Sequence, residues 1–130
     1  MKKLLLFALL ATLLTGCRES LEERAVREAD TFTEQTCPNR IDQFTTLNKV
    51  SFDKATHTFT NEYTLTGDAD RQLSDSEKEN IKEALRKTLA YDTKQRIYRE
   101  AGYSYHYVYY SKSDPKTIIF EATFTTKDYQ

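Results

Sequence analysis

From Thr56 to Thr66 the chain alternates with period two: Phe59, Tyr63 and Leu65 hold odd positions, and Thr56, Thr58, Thr60, Glu62, Thr64 and Thr66 hold even ones. Successive side chains of a strand point to opposite faces, so this run fits a strand with one apolar and one wet side. An antiparallel sheet covered on a single face meets that demand. The preceding segment, with Phe44, Val50 and Phe52 alternating and Leu47 out of phase, predicts a first arm with a bend or bulge near Leu47. Asp53-Lys54-Ala55 is then the turn. A two-stranded hairpin is at best marginally stable in water, so the rest of the chain must supply both cover and further strands.

Helical periods supply the cover. Leu21, Ala25, Ala29 and Phe32 recur at spacings of four and three, predicting a helix over Ser20 to Gln35 that Cys37-Pro38-Asn39 ends. Ser74 followed by Glu77 is a capping-box signature, and Ile81, Ala84, Leu85, Thr88 and Leu89 form a stripe behind it. Acidic residues crowd the start of that stripe while Arg86 and Lys87 stand late, as the helix dipole favours. The helix is expected to reach Ala90, and a short second one, Thr93 to Ala101, brings Ile97 and Tyr98 to the core before Gly102 stops it.

The last segment reads as a second hairpin with Asp114-Pro115 in its turn. Tyr103, Tyr105, Tyr107 and Tyr109 share one face of the first arm; Ser104, His106, Val108 and Tyr110 share the other. The second arm sets Ile118, Phe120, Ala122 and Phe124 against Ile119, Glu121 and Thr123. Tyrosines suit strands and can bury a ring while the hydroxyl stays wet, but they are also enriched at recognition surfaces. The odd row is assigned to the core. That leaves Ser104, His106 and Tyr110 as candidate binding residues facing outward.

The expected fold is α+β: an antiparallel four-stranded sheet with helices on one face, in the order α-β-β-α-α-β-β. Its core should run from Leu21, Ala25 and Phe32 through Phe44, Val50, Phe52, Phe59, Tyr63 and Leu65 to Ile81, Leu85, Leu89, Ile97, Phe120 and Phe124.

The beginning of the chain follows another logic. Met1-Lys2-Lys3 is basic, and Leu4 to Leu14 is uncharged and about half the ~20 residues that a membrane-crossing helix needs. It ends in Leu14-Thr15-Gly16-Cys17, which resembles the lipobox of bacterial lipoproteins. An ordinary signal peptide would share the first two features, whereas a short buried helix would be expected to show a polar face that this run lacks. The resemblance implies that residues 1–16 are removed and that residues 17–130 form a single mature domain with lipidated Cys17. Two or more acyl chains make a stable anchor where one gives only marginal binding. Arg18, rather than an aspartate, after the cysteine implies the outer membrane, facing the periplasm. Because the first helix begins almost at Cys17, no long flexible tether separates the domain from the bilayer.

Charge and motif content narrow the function. The 19 basic and 20 acidic residues give a net charge of −1, and loss of Lys2 and Lys3 with the leader takes the mature chain to near −3. No basic cluster suits a phosphate backbone, so nucleic acid is not an expected partner. Once Cys17 carries lipid, Cys37 has no partner in the chain; it reads either as a small buried hydrophobe or as a thiol available for intermolecular pairing. The chain has no phosphate loop, HExxH or GxSxG motif, and its acidic residues sit among basic neighbours on helical faces, so neither catalytic residues nor a cofactor are expected. His57 and His106 are the only histidines, both on expected strands, and no metal site is assigned. The segments Pro38 to Leu47 and Gly102 to Tyr107 are similar to small exported bacterial proteins of unassigned role, a resemblance that transfers no activity. The resulting expectation is a non-catalytic, lipid-anchored envelope protein that binds a protein partner as an inhibitor, exclusion, immunity or assembly factor. The alternative is a lipoprotein that binds a small molecule or glycan through the tyrosine-rich hairpin.

Overall fold

A computed structural model describes residues 18–129; the expected leader and the expected acylation of Cys17 lie outside the described residues. Helix α1 (Leu21–Thr36) is followed by strands β1 (Asn39–Asp42), β2 (Thr45–Asp53) and β3 (Thr58–Leu65). Helices α2 (Asp75–Tyr91) and α3 (Arg96–Glu100) come next, then β4 (Ser104–Ser111), β5 (Ile118–Phe124) and a last turn of helix, α4 (Thr126–Tyr129).

Local chemistry sets the helix ends. Ser20 caps α1 by accepting from the Glu23 amide, and Ser74 and Glu77 close the expected capping box at α2. Glu77 also pairs with Arg71 at 2.6 Å, and these contacts hold its carboxyl down to about 2. Thr33 fastens α1 to the sheet, its hydroxyl donating to the Val50 carbonyl at 2.8 Å and accepting from the Val50 amide at 2.9 Å.

The α+β class holds, but the sheet is five-stranded and mixed, in the order β1-β2-β3-β4-β5. Its two hairpins join through β3 and β4, which run parallel with Thr58 opposite Ser104 and Leu65 opposite Ser111. Antiparallel neighbours follow tight turns, whereas a parallel pair requires a long crossover, which α2 and α3 provide. The expected all-antiparallel, four-stranded sheet is therefore corrected at its centre and at the added edge strand β1. That strand was missed because four mostly polar residues carry no periodic signal. The irregularity expected near Leu47 is present, with register shifting between Leu47 and Lys49.

Ala25, Ala29, Leu89 and Tyr98 cover the inner sheet face, meeting Phe59, Tyr103, Tyr105, Phe120, Ala122 and Phe124. Tyr98 and Phe124 are the largest fully buried side chains. Two expectations, Phe32 and Ile97, fail here for separable reasons. Phe32 faces the open space between α1 and α2 rather than a packed neighbour and is 38% exposed. Ile97 is 42% exposed because a helix as short as α3 turns one large residue inward, and that residue is Tyr98. A register shift between Tyr109 and Tyr110 sets Ile118 opposite Tyr110, exposing Ile118 and burying Ile119 instead. His57, expected on a strand, occupies the 54–57 turn with φ of 51°, a left-handed conformation.

Candidate functional site

The outer sheet face holds the residues singled out in the sequence. Ser104, His106 and Tyr110 share it and stay partly exposed, and the His106 ring nitrogen Nε2 lies 3.0 Å from Glu121 Oε2. Val108, between them, is buried; its register neighbours are Glu62 and Glu121. This face is a strand surface studded with Thr58, Thr60, Thr64 and Thr123.

On the inner face the tyrosine row does as expected: Tyr103 and Tyr105 are buried, and Tyr107 and Tyr109 are partly so. The Tyr105 hydroxyl donates to Gln95 Oε1 at 3.0 Å. Truncating Tyr105 to alanine is expected to cost about 3–5 kcal/mol, as aromatic deletions in cores do. His106→Ala on the outer face should change stability by no more than about 0.5 kcal/mol. Urea denaturation of the two variants checks both values, and a stable Tyr105 variant beside a badly destabilised His106 variant would invert the two faces.

Sequence periodicity did not reveal that the helices leave a gap above this row. Helix α1 packs over β2, while α2 packs toward β5 and α4, so β3 and β4 are roofed only in part. A cavity of about 490 Å³ results. Glu28, Ala29 and Phe32 of α1 form one wall, and Leu85, Thr88, Leu89 and Asp92 of α2 form the other. Phe59, Asn61, Tyr63, Tyr105 and Tyr107 line the floor, and Lys94, Gln95 and Tyr98 close the end nearest α3.

The floor is aromatic and partly unengaged. Tyr63 and Tyr109 stack at 4.4 Å with ring planes 7° apart, and Tyr107 lies 6.5 Å from Tyr63. Burial pushes the Tyr63 hydroxyl up to about 12 and raises Tyr107 and Tyr109 as well. Asn61 takes an inward position of β3 between Phe59 and Tyr63, and among the described residues its side chain makes no hydrogen bond; nor do the hydroxyls of Tyr63 and Tyr107. None of these polar atoms is sealed away without a partner, so each keeps some access to solvent. On the wall, Glu28 accepts from the Tyr98 hydroxyl at 2.7 Å and pairs with Arg24 at 2.6 Å. Burial pushes the Glu28 carboxyl up, but these two partners outweigh it and hold it below its usual range.

Other sites are structural. Asp70 accepts from the Ser111 hydroxyl and the Ser113 amide, tying the link before α2 to the β4–β5 turn. Cys37 is a half-buried free thiol whose pKa burial raises, which makes it a poor nucleophile. Among the described residues no group of histidine, cysteine and carboxylate side chains is arranged to hold a metal, and no helix is long and apolar enough to cross a membrane.

Residues 20–120 match the model of a family described as a domain of unknown function, DUF8479. The chain belongs to the DUF8479 family. Every residue lining the cleft falls within the matched DUF8479 span. No curated protein matches the sequence. The DUF8479 fold recurs in solved structures. The pilotin EpsS of the Vibrio vulnificus type 2 secretion system aligns with a TM-score of 0.63 at 16% identity, over 85% of this chain and 92% of that one. The type II secretion pilotin AspS of Vibrio cholerae aligns with a TM-score of 0.61 at 13% identity, over 83% and 91%. A Pseudomonas aeruginosa protein described as secreted aligns with a TM-score of 0.62 at 11% identity, over 87% and 100%. At these identities the likeness is one of fold.

Proposed function

We propose that this chain is a non-catalytic, lipid-anchored accessory protein of the cell envelope that docks a segment of a protein partner in the cleft between α1 and α2. The observation that carries the reading is the cleft itself. Its floor is apolar enough to reward burial, yet Asn61, Tyr63 and Tyr107 offer free hydrogen-bonding groups that an incoming chain can satisfy. Two of the solved structures with this fold are pilotins of type II secretion systems, which supports an accessory role in assembling an envelope machine. Acylation of Cys17 holds the domain at the outer membrane, on its periplasmic side. The cleft presents no nucleophile with an adjacent base, which favours binding over chemistry. A small molecule or glycan stacking on Tyr63 and Tyr107 is the second reading, favoured by the same exposed rings.

Phe32 stands on the rim and is accessible, so position 32 suits both a probe and a block. A photo-crosslinking residue placed there in the full chain, activated in intact cells, should yield an adduct with an outer-membrane component of a secretion machine. Phe32→Glu should abolish the adduct formed from a second probe at Leu85 while the melting temperature stays put. His106→Ala should leave that adduct intact; its loss in this variant would move the docking surface to Ser104, His106 and Tyr110. Absence of any protein adduct, with a saccharide or small metabolite retained instead, would replace the first reading by the second.

A further inference from the structure

We propose that the corner between α2 and α3 is a lipid-contacting surface that lays the domain against an anionic leaflet. This rests on the anchoring of Cys17 put forward above. The corner lies at the end of the molecule where the described chain begins. Glu22, in the first turn of α1, is 2.8 Å from His57 in the β2–β3 turn, and Tyr103 stacks on His57 at 4.9 Å. Helix α3 leads directly into Tyr103 and β4, whose first residue pairs with the first residue of β3. Position 17 is one peptide from Arg18, so acyl chains on it hold this same end at the bilayer.

The corner has the chemistry of a headgroup contact. Tyr91 is 82% exposed and Ile97 42% exposed, whereas the neighbouring Tyr98 is buried in the core. From Arg86 to Arg99 there are five basic residues and one acidic residue, in a chain whose overall charge is −1. Arg86 and Arg96 are paired with Glu83 and Glu100, but Lys87 and Lys94 make no ion pair among the described residues. Tyrosine sits well at the depth of lipid headgroups, isoleucine can enter just below, and lysine stems extend so that their charges stay with the phosphates. Anionic leaflets attract such clusters over about a Debye length.

The surface is also held in shape. Arg99 Nη1 donates to the carbonyls of Leu89 at 2.8 Å and Asp92 at 2.5 Å, and the Asp92 side chain accepts from the Lys94 amide at 3.0 Å. Two of the carboxylates at this end are engaged close by: Glu19 pairs with Arg27 at 2.9 Å, and Glu100 with Arg96 at 2.9 Å.

The chain has no tryptophan, so Tyr91→Trp installs a single reporter at an exposed position. The full chain, processed and acylated in a bacterial host, is reconstituted into vesicles of phosphatidylethanolamine with phosphatidylglycerol, or of phosphatidylcholine alone, each with and without brominated lipid. In the anionic vesicles the indole emission should shift to the blue and be quenched by bromine, and raising the salt concentration should weaken both effects. Adding Lys87→Gln and Arg96→Gln should lower the docked population about five-fold for each charge removed while flotation with the vesicles is unchanged. Protein that floats yet keeps a water-like, unquenched emission overturns the proposal and leaves the anchor standing, as does equal quenching in phosphatidylcholine. Protein that does not float overturns the anchor and this proposal with it.

Discussion

Raising the pH past the ordinary tyrosine value of 10.0 is expected to unfold this domain steeply. Burial lifts Tyr63 to about 12, and raises Tyr107 and Tyr109 beside it for the same reason. In the unfolded chain these hydroxyls lose their protons near 10; in the folded one they keep them. The folded state therefore binds more protons in that window, so stability is fully present below about pH 10 and drains away as pH rises through the folded values. Each such group lowers stability by about 1.4 kcal/mol per pH unit, so three together lower it by about 4, against a total of roughly 5–15 for a typical domain. Tyrosinate absorbance and circular dichroism followed together check this. The buried rings should ionise in the same narrow step in which the fold is lost. Smooth ionisation of all nine tyrosines around 10 with the fold intact would show that the cleft floor is wetter than its geometry indicates. Tyr107→Phe, which deletes one titrating hydroxyl and keeps the ring, should move the midpoint to higher pH.

The second large effect belongs to Cys17. Its replacement by alanine should end metabolic labelling with palmitate and stop processing at the lipobox, leaving a precursor longer than the mature chain. Each buried CH₂ contributes ~0.8 kcal/mol, so an anchor of two or more chains far exceeds what a surface contact such as the α2–α3 corner supplies. Protein that does escape the leader should accordingly be recovered in the soluble fraction. Size and label are the decisive readings, because an uncleaved leader with its apolar stretch can hold the precursor at a membrane by itself. Palmitate labelling that persists in the Cys17→Ala chain would refute acylation at this position.

What the sequence made legible was local. Period two delivered β3 and the separation of the Tyr105 row from the His106 row. Period 3.6 and the Ser74–Glu77 pair delivered α1 and α2 to within about a residue. The failures lie where distant segments decide. Nothing in Phe32 or Ile97 distinguishes an apolar residue that meets a core from one that does not, because the difference lies in the helix beyond it. The parallel joint of β3 and β4 carries no signature in either strand, since the same alternation serves both orientations. His57 follows an intact alternation but turns the corner in a left-handed conformation more common for glycine and asparagine. The cleft was invisible for a related reason. It is a property of the spacing between α1 and α2, and its most telling residue, Asn61, looks in the sequence like a flaw in an apolar row.

The parallel joint has a consequence for how the chain matures. Thr58 pairs with Asp53 on one side but meets Ser104 on the other, so β1, β2, β3 and α1 can assemble from the first half of the chain, while the far edge of β3 stays bare until the second half arrives. A chain delivered amino-terminus first, as the proposed leader would deliver it, would pass through a stage with Phe59, Tyr63 and Leu65 beside an unsatisfied row of backbone amides and carbonyls, which is the usual template for aggregation. Long-range pairing is also slow to close. Early attachment at the amino terminus would keep such half-made molecules apart on a surface, and a chain released from that surface would face the slow step crowded by its own copies.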